Sequence, residues 1–166
     1  MSVRKIGEWT KVTKQVAELN SVFKTYAHDT LKDWAIFAKA RLQTMIIHGW
    51  DWADLAPYTK RRKQKLGYEV EPYMETGTFL KNIYYAVNKN RYSAFAGVSK
   101  DASAMSGHSR SIPVADVAPI LEFGSESLGI PARPLFTPAG EQSIHYMLAI
   151  KHSQIIKARL KSYDSS

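Results

Sequence analysis

Between positions 21 and 48 the residues Phe23, Tyr26, Ala27, Trp34, Phe37, Ala38, Arg41, Leu42, Met45 and Ile46 recur at three- and four-residue steps. His28, Asp29, Lys32, Asp33, Lys39 and Gln43 fall between them. That period predicts a long amphipathic helix over residues 21–48, whose apolar stripe must be covered by a sheet, another helix or a neighbouring subunit. Gly49 supplies the stop, because a helix commonly ends on a residue in the left-handed conformation that glycine adopts without steric cost. Upstream, Val12, Val16 and Leu19 mark one side of a shorter helix over residues 10–19, preceded by a strand at residues 3–6.

After Gly49 the pattern changes. Residues 50–75 are aromatic, basic and broken by Pro57, Gly67 and Pro72, which predicts an ordered connection rather than a long element. Thr76 is placed to cap a short helix running through Phe79, Leu80 and Ile83. Strands are expected at residues 84–87 and 92–98, turning at Asn88, Lys89 and Asn90. In the second strand Tyr92, Ala94, Ala96 and Val98 alternate with Arg91, Ser93, Phe95 and Gly97, the period of a half-buried sheet. Residues 99–111 (SKDASAMSGHSRS) hold Met105 as their one bulky apolar side chain, too little to offset the entropy of ordering, and are expected to form a mobile loop.

A short apolar stretch at 112–114 leads to a helix over 116–123, closed by Gly124, and a loop through Pro134. The last helix, over 138–162, has Thr137 as its cap and Pro138 in its first position. Ile144, Met147, Leu148, Ile155 and Ala158 should be its buried side, and Lys157, Arg159 and Lys161 complement the dipole near its end. These elements make an α+β fold: a small antiparallel sheet packed with a long N-terminal amphipathic helix, short helices and a C-terminal helix.

Composition narrows the function. With 166 residues, 45% hydrophobic and 23% charged, the chain is expected to be a single domain with its own core. It contains no cysteine, which excludes disulfides, thiolate metal sites and thiol nucleophiles. No segment approaches the ~18 apolar residues of a membrane span and none resembles a signal peptide, so a soluble, unprocessed protein without a membrane partner is expected. His28, His48, His108, His145 and His152 show no ligand spacing, and Gly107-His108-Ser109 lacks the context of a nucleophile elbow. Glycine-rich phosphate cradles are absent, and Glu69, Glu71 and Glu75 read as solvated carboxylates. No catalytic group, metal or cofactor is therefore expected. The net charge of +8 makes an acidic partner plausible, and Tyr58, Lys60, Arg61, Arg62, Lys63 and Tyr68 lie close enough together to keep a basic nucleic-acid-binding protein as the alternative reading.

Two strings stand out: residues 74–83 (METGTFLKNI), and residues 117–124 (VAPILEFG) followed by 130–139 (IPARPLFTPA). In order and spacing they resemble the tail-completion, or head-tail joining, proteins of long-tailed bacteriophages. The pattern of that family runs TG-x-L-x-x-S-I, then Y-A-x-x-x-E-F-G, then I-P-A-R-P-F-L-x-P-A. The stretch from Trp52 to Thr59 also fits the W-x-x-L-x-x-x-T of some members. Phe79 stands where Leu is usual, Asn82 for Ser, Val117 for Tyr, and Leu135-Phe136 reverses the common order. The resemblance covers residues 52–139.

The resemblance implies a homo-oligomeric ring, commonly a hexamer, that caps the tail tube on one face and meets the head connector or stopper on the other. Genomic DNA would pass through its lumen without sequence recognition. A head-side adaptor or a minor tail protein shares this character. Thr76, Gly77, Phe79, Ile83 and Trp52 are then structural motif residues, and Arg133, Pro134, Phe136, Glu122, Phe123 and Gly124 are the interface candidates. Pro131 and Pro134 restrain the loop around Arg133, presenting its guanidinium to a carboxylate with little entropy to lose. That carboxylate belongs either to a neighbouring subunit or to Glu122 of the same chain. Trp9, Trp34, Trp50 and Trp52 are expected to be packing residues.

Overall fold

The computed structural model describes residues 9–100, 104–105, 112–151, 153–154, 156–157 and 161. Its dominant element is one helix where two were expected: α1 (Trp9–His48) runs unbroken for 40 residues, ~60 Å at the standard rise. Nothing near Asn20 and Ser21 is strong enough to break it, since neither glycine nor proline occurs within it. Thr13 and Thr25 return their hydroxyls to the carbonyls of Trp9 and Ser21 at 2.6 and 3.0 Å. The helix ends at Gly49, whose φ of 77° is the left-handed stop expected of it.

Only the C-terminal half of α1 enters the core. Its buried residues are Ala35, Ala38, Leu42, Met45 and Ile46, while the anticipated stripe residue Phe23 is exposed. Trp9 and Trp50 are exposed as well, contrary to a pure packing role. Trp50 instead lies under the Arg41 guanidinium, 5.5 Å from its ring centre.

Onto this half of α1 pack a hairpin and α5 (Phe136–Tyr146). Strands β1 (Ile83–Asn88) and β2 (Ser93–Val98) are antiparallel, with Ile83 opposite Val98 and Asn88 opposite Ser93. The Asn88 side-chain oxygen accepts the N–H groups of Asn90 and Arg91, each at 3.0 Å, which fixes the turn. Ile83, Ala96 and Val98 pack into a cluster with Leu42, Met45, Ile46, Tyr73, Phe79, Val114, Ala118, Leu135 and Ala139. Along the same contact between α1 and α5, Phe37 stacks on Tyr146 at 3.9 Å, and Arg41 Nε donates to Gln142 Oε1.

Several local expectations are corrected. The connection over 50–75 holds a helix, α2 (Pro57–Lys65), because proline is suited to the first helical turn, where its missing N–H costs nothing. The next helix, α3 (Thr78–Lys81), starts from Gly77 at φ 69°, so Gly77 and not Thr76 holds the cap position. Thr76 Oγ1 lies 2.7 Å from the Thr78 hydroxyl, and Ile83 opens β1 instead of extending the helix. Within the span expected to be a mobile loop, β3 (Ala104–Met105) pairs with β4 (Ile112–Pro113). The remainder of that span at 101–103 and 106–111, and the strand expected at 3–6, lie outside the described residues.

Helix α4 (Val114–Phe123) begins before its expected start and tolerates Pro119 inside it. Helix α5 has Leu135 at its cap position, which places Thr137 and Pro138 inside its first turn, and it continues into a wide π turn at Met147–Lys151. The small residues Ala139 and Ser143, with Met147, form its buried line, whereas Ile144 and Leu148 are exposed rather than buried. Ser143 Oγ donates to the Ala139 carbonyl, so this fully buried hydroxyl is satisfied within the helix. Ile155, Ala158 and Arg159 lie outside the described residues.

Candidate interaction site

The segments that stood out in the sequence meet at one junction. Gly124 ends α4 at φ 76° and ψ 179°, a conformation open essentially to glycine alone. A Cβ there would lie 2.8 Å from Ala132 N and 2.9 Å from Ile130 O. The chain turns through Ser125 and Ile130, which bond each other's backbone at 2.8 and 2.9 Å, and returns along α4 until Arg133 N donates to Leu121 O at 2.7 Å.

This return brings the start of α5 over Glu122. The Glu122 carboxylate accepts from the N–H groups of Leu135, Phe136 and Thr137 at 2.7, 2.9 and 2.9 Å, and from Thr137 Oγ1 at 2.7 Å. It therefore caps α5 from a different helix, satisfying the first N–H groups that no helical carbonyl can reach. Glu122 is 6% exposed. Burial pushes its pKa up, but the hydrogen bonds from Leu135, Thr137 and Phe136 outweigh this and hold the carboxyl below its ordinary value.

Arg133 faces the opposite way. It is 4% exposed, with Nε donating to Ala53 O at 2.8 Å and Nη2 to Asp54 O at 2.9 Å. The expected carboxylate partner is replaced by backbone carbonyls of its own chain, and Glu122 is taken up by the α5 cap. Segment 50–75 answers in kind: Trp52 Nε1 donates to Pro134 O at 2.7 Å, and the Tyr73 hydroxyl donates to Arg133 O at 2.5 Å. Tyr73 is buried at a positive φ of 64°. Burial, followed by the negative charge of Glu122, pushes its phenol well above the usual value.

An aromatic row backs the polar stitching, with Trp52 to Tyr73 at 4.9 Å, Tyr73 to Phe79 at 4.8 Å and Phe79 to Phe136 at 6.3 Å between ring centres. Phe79 and Ile83 are core residues, and Phe136 is half-buried against that core. Thr76 and Gly77 sit at the start of α3, close in sequence to Phe79 within the row. Of the interface candidates, Phe123 and Pro134 are exposed. Beside them, Phe95, Gly97, Ala118, Pro119, Phe123 and Phe136 line an open apolar cleft of ≈ 400 Å³.

Sequence reasoning missed Tyr73, Leu135 and Thr137 as junction members, and the carbonyls of Ala53 and Asp54. Backbone carbonyls carry no sequence signature, and nothing in the local pattern marked Tyr73. The basic group around α2 is divided by the fold. Lys63 is buried, with Nζ donating to Glu71 O at 2.8 Å, and burial lowers its pKa against the pull of Glu75 and Glu71. Lys60 pairs with Asp54 at 2.5 Å. Tyr58, Arg61 and Arg62 remain exposed.

Among the described residues no group of three or more His, Asp or Glu side chains is placed to hold a metal ion, and no helix is long and apolar enough to cross a membrane. Comparison with protein-family models, with curated proteins and with solved structures finds no match to this chain.

Proposed function

We propose that this chain is a structural subunit of the neck of a long-tailed bacteriophage, a tail-completion protein that closes into a ring with its own copies. One face of the ring would cap the tail tube and the other would receive the head connector, with the genome passing through the lumen. The work of such a protein is geometric, and its residues are asked to hold a shape rather than to transform a substrate.

The observation that carries this reading is the convergence of the resembling segments on one junction. Trp52, Phe79, Glu122, Arg133 and Phe136 are scattered over more than half the chain, yet hydrogen bonds and ring contacts join them. Residue types matched in order along the chain thus share a single physical task. Glu122 and Arg133 secure the junction from within, and Phe123, Leu128 and Pro134 face outward beside it. An exposed apolar rim on a rigid base is suited to a neighbour or to a docking partner.

Electron microscopy of particles produced from the genome that encodes this chain tests the proposal. A C-terminal tag labelled with gold should appear at the head-tail junction, and the purified chain mixed with its tail tube protein should form annuli on tube ends. A chain absent from purified particles, or labelled on the capsid or the tail fibres instead, would sink it.

A further inference from the structure

Residues 9–23 of α1 present Trp9, Val12, Val16, Leu19 and Phe23 at alternating steps of three and four. Steps of three and four place all five on one face of the helix, the spacing that the seam between two paired helices uses. These five side chains are between 43% and 65% exposed, and every buried residue of α1 lies at Ala35 or beyond. The stripe therefore takes no part in the chain's own core. A helical arm of this length, with valine and threonine recurring along it, is marginal in water without a covering surface.

We propose that residues 9–23 pair with the same segment of a second copy of this chain as a two-stranded coiled coil. A second copy presents the same stripe at the same spacing, so the two can interdigitate along it. With Trp9, Val16 and Phe23 at the first core position of each heptad, Val12 and Leu19 occupy the second. The positions flanking the seam are then Thr13, Gln15, Asn20 and Val22, none of them charged, so identical copies meet without like-charge repulsion.

The charges fall outside. Lys11, Lys14, Glu18 and Lys24 take outer positions, and Lys14 and Glu18 face each other within one helix at 4.0 Å. Valine followed by leucine, as at Val16 and Leu19, is the core pairing that favours two strands. A pair withdraws on the order of 800–1,000 Å² from water, the weak end of specific interfaces, so the dimer dissociates on dilution. The contact is isologous and independent of the ring reading, since a closed ring needs a heterologous contact made elsewhere.

Sedimentation of the full chain between about 1 and about 100 µM tests this, a range that spans weak association. The mean mass should rise from one chain towards two, with the far-UV helix signal rising alongside. Val16→Glu with Leu19→Glu alters only exposed positions and should weaken association at least ~10-fold, about 1.4 kcal/mol, with an unchanged melting temperature of the core. Charges at the flanks give a second arm. Gln15→Glu with Asn20→Glu, and Gln15→Lys with Asn20→Lys, should each stay single but pair with one another when mixed. A wild-type chain that stays single at 100 µM overturns the proposal, as do glutamate variants that associate like the wild type, or a mixture no better paired than its parts. A six-copy ring, closed by its own heterologous contact, should survive Val16→Glu with Leu19→Glu, so failure of the seam and failure of the tail proposal are told apart.

Discussion

Replacing Glu122 tests whether the junction is held by the cap that one helix receives from another. In Glu122→Ala the N–H groups of Leu135, Phe136 and Thr137 and the Thr137 hydroxyl lose their acceptor together. Leu135 is fully buried, so water cannot replace the carboxylate at its N–H. A hydrogen bond to a charged group contributes about 1.5–3 kcal/mol, and an N-cap about 0.5–2 kcal/mol. Because the four bonds share one carboxylate and Thr137 borders solvent, the combined loss is expected at ~3–4 kcal/mol rather than their sum. For a chain of this length that lowers the melting temperature by about 10 °C. Glu122→Gln keeps the shape and one acceptor oxygen and should lose about half as much.

The same pair of variants gives a pH signature. The folded-state pKa of Glu122 lies below its ordinary value of 4.5. Its contribution is thus complete above the unfolded pKa and disappears as pH falls through the folded one. Urea titrations from neutrality into the acid range should show the wild type losing more stability below the ordinary value of 4.5 than Glu122→Gln, which has no carboxyl to protonate there. If Glu122→Ala lies within about 0.5 kcal/mol of the wild type, or if both acid limbs have equal slopes, the cap does not hold the junction.

Three other substitutions probe the remaining parts. Arg133→Lys replaces a fork reaching the carbonyls of Ala53 and Asp54 by a single ammonium, and should cost about 1.5–3 kcal/mol in urea denaturation; a neutral result would show that the fork is not used. Gly124→Ala puts a Cβ 2.8 Å from Ala132 N and 2.9 Å from Ile130 O at positive φ, and should cost at least ~2 kcal/mol by thermal melting, since backbone cannot move aside cheaply. Trp52→Phe keeps a ring against Tyr73 but loses the bond to Pro134 O, with an expected loss of about 1 kcal/mol and a change in intrinsic fluorescence.

Elements with a strong local signal were legible from composition and spacing. The α+β class, the hairpin to within a residue or two, the end of α4 at Gly124 and the stop of α1 at Gly49 all follow from periodicity and from glycine's freedom at positive φ. Single-residue assignments at helix starts were less legible. Thr76 and Thr137 are good capping residues by type, yet Gly77 and Leu135 hold those positions. At α5 the capping oxygen comes from Glu122, 13 residues upstream of Leu135, and local propensity cannot anticipate a donor-acceptor match made by chain return.

Arg133 shows the limit most clearly. Its prolines and its charge marked it as a residue with a fixed partner, but the partners are main-chain carbonyls 80 and 79 positions away. Every residue carries such a carbonyl, so sequence alone cannot distinguish the two that Arg133 reaches. The pattern along the chain determined which faces are apolar and where helices can stop. Tertiary structure decided which half of α1 is covered, which polar groups are buried and which partners they meet, because those outcomes depend on how segments distant in sequence close over one another.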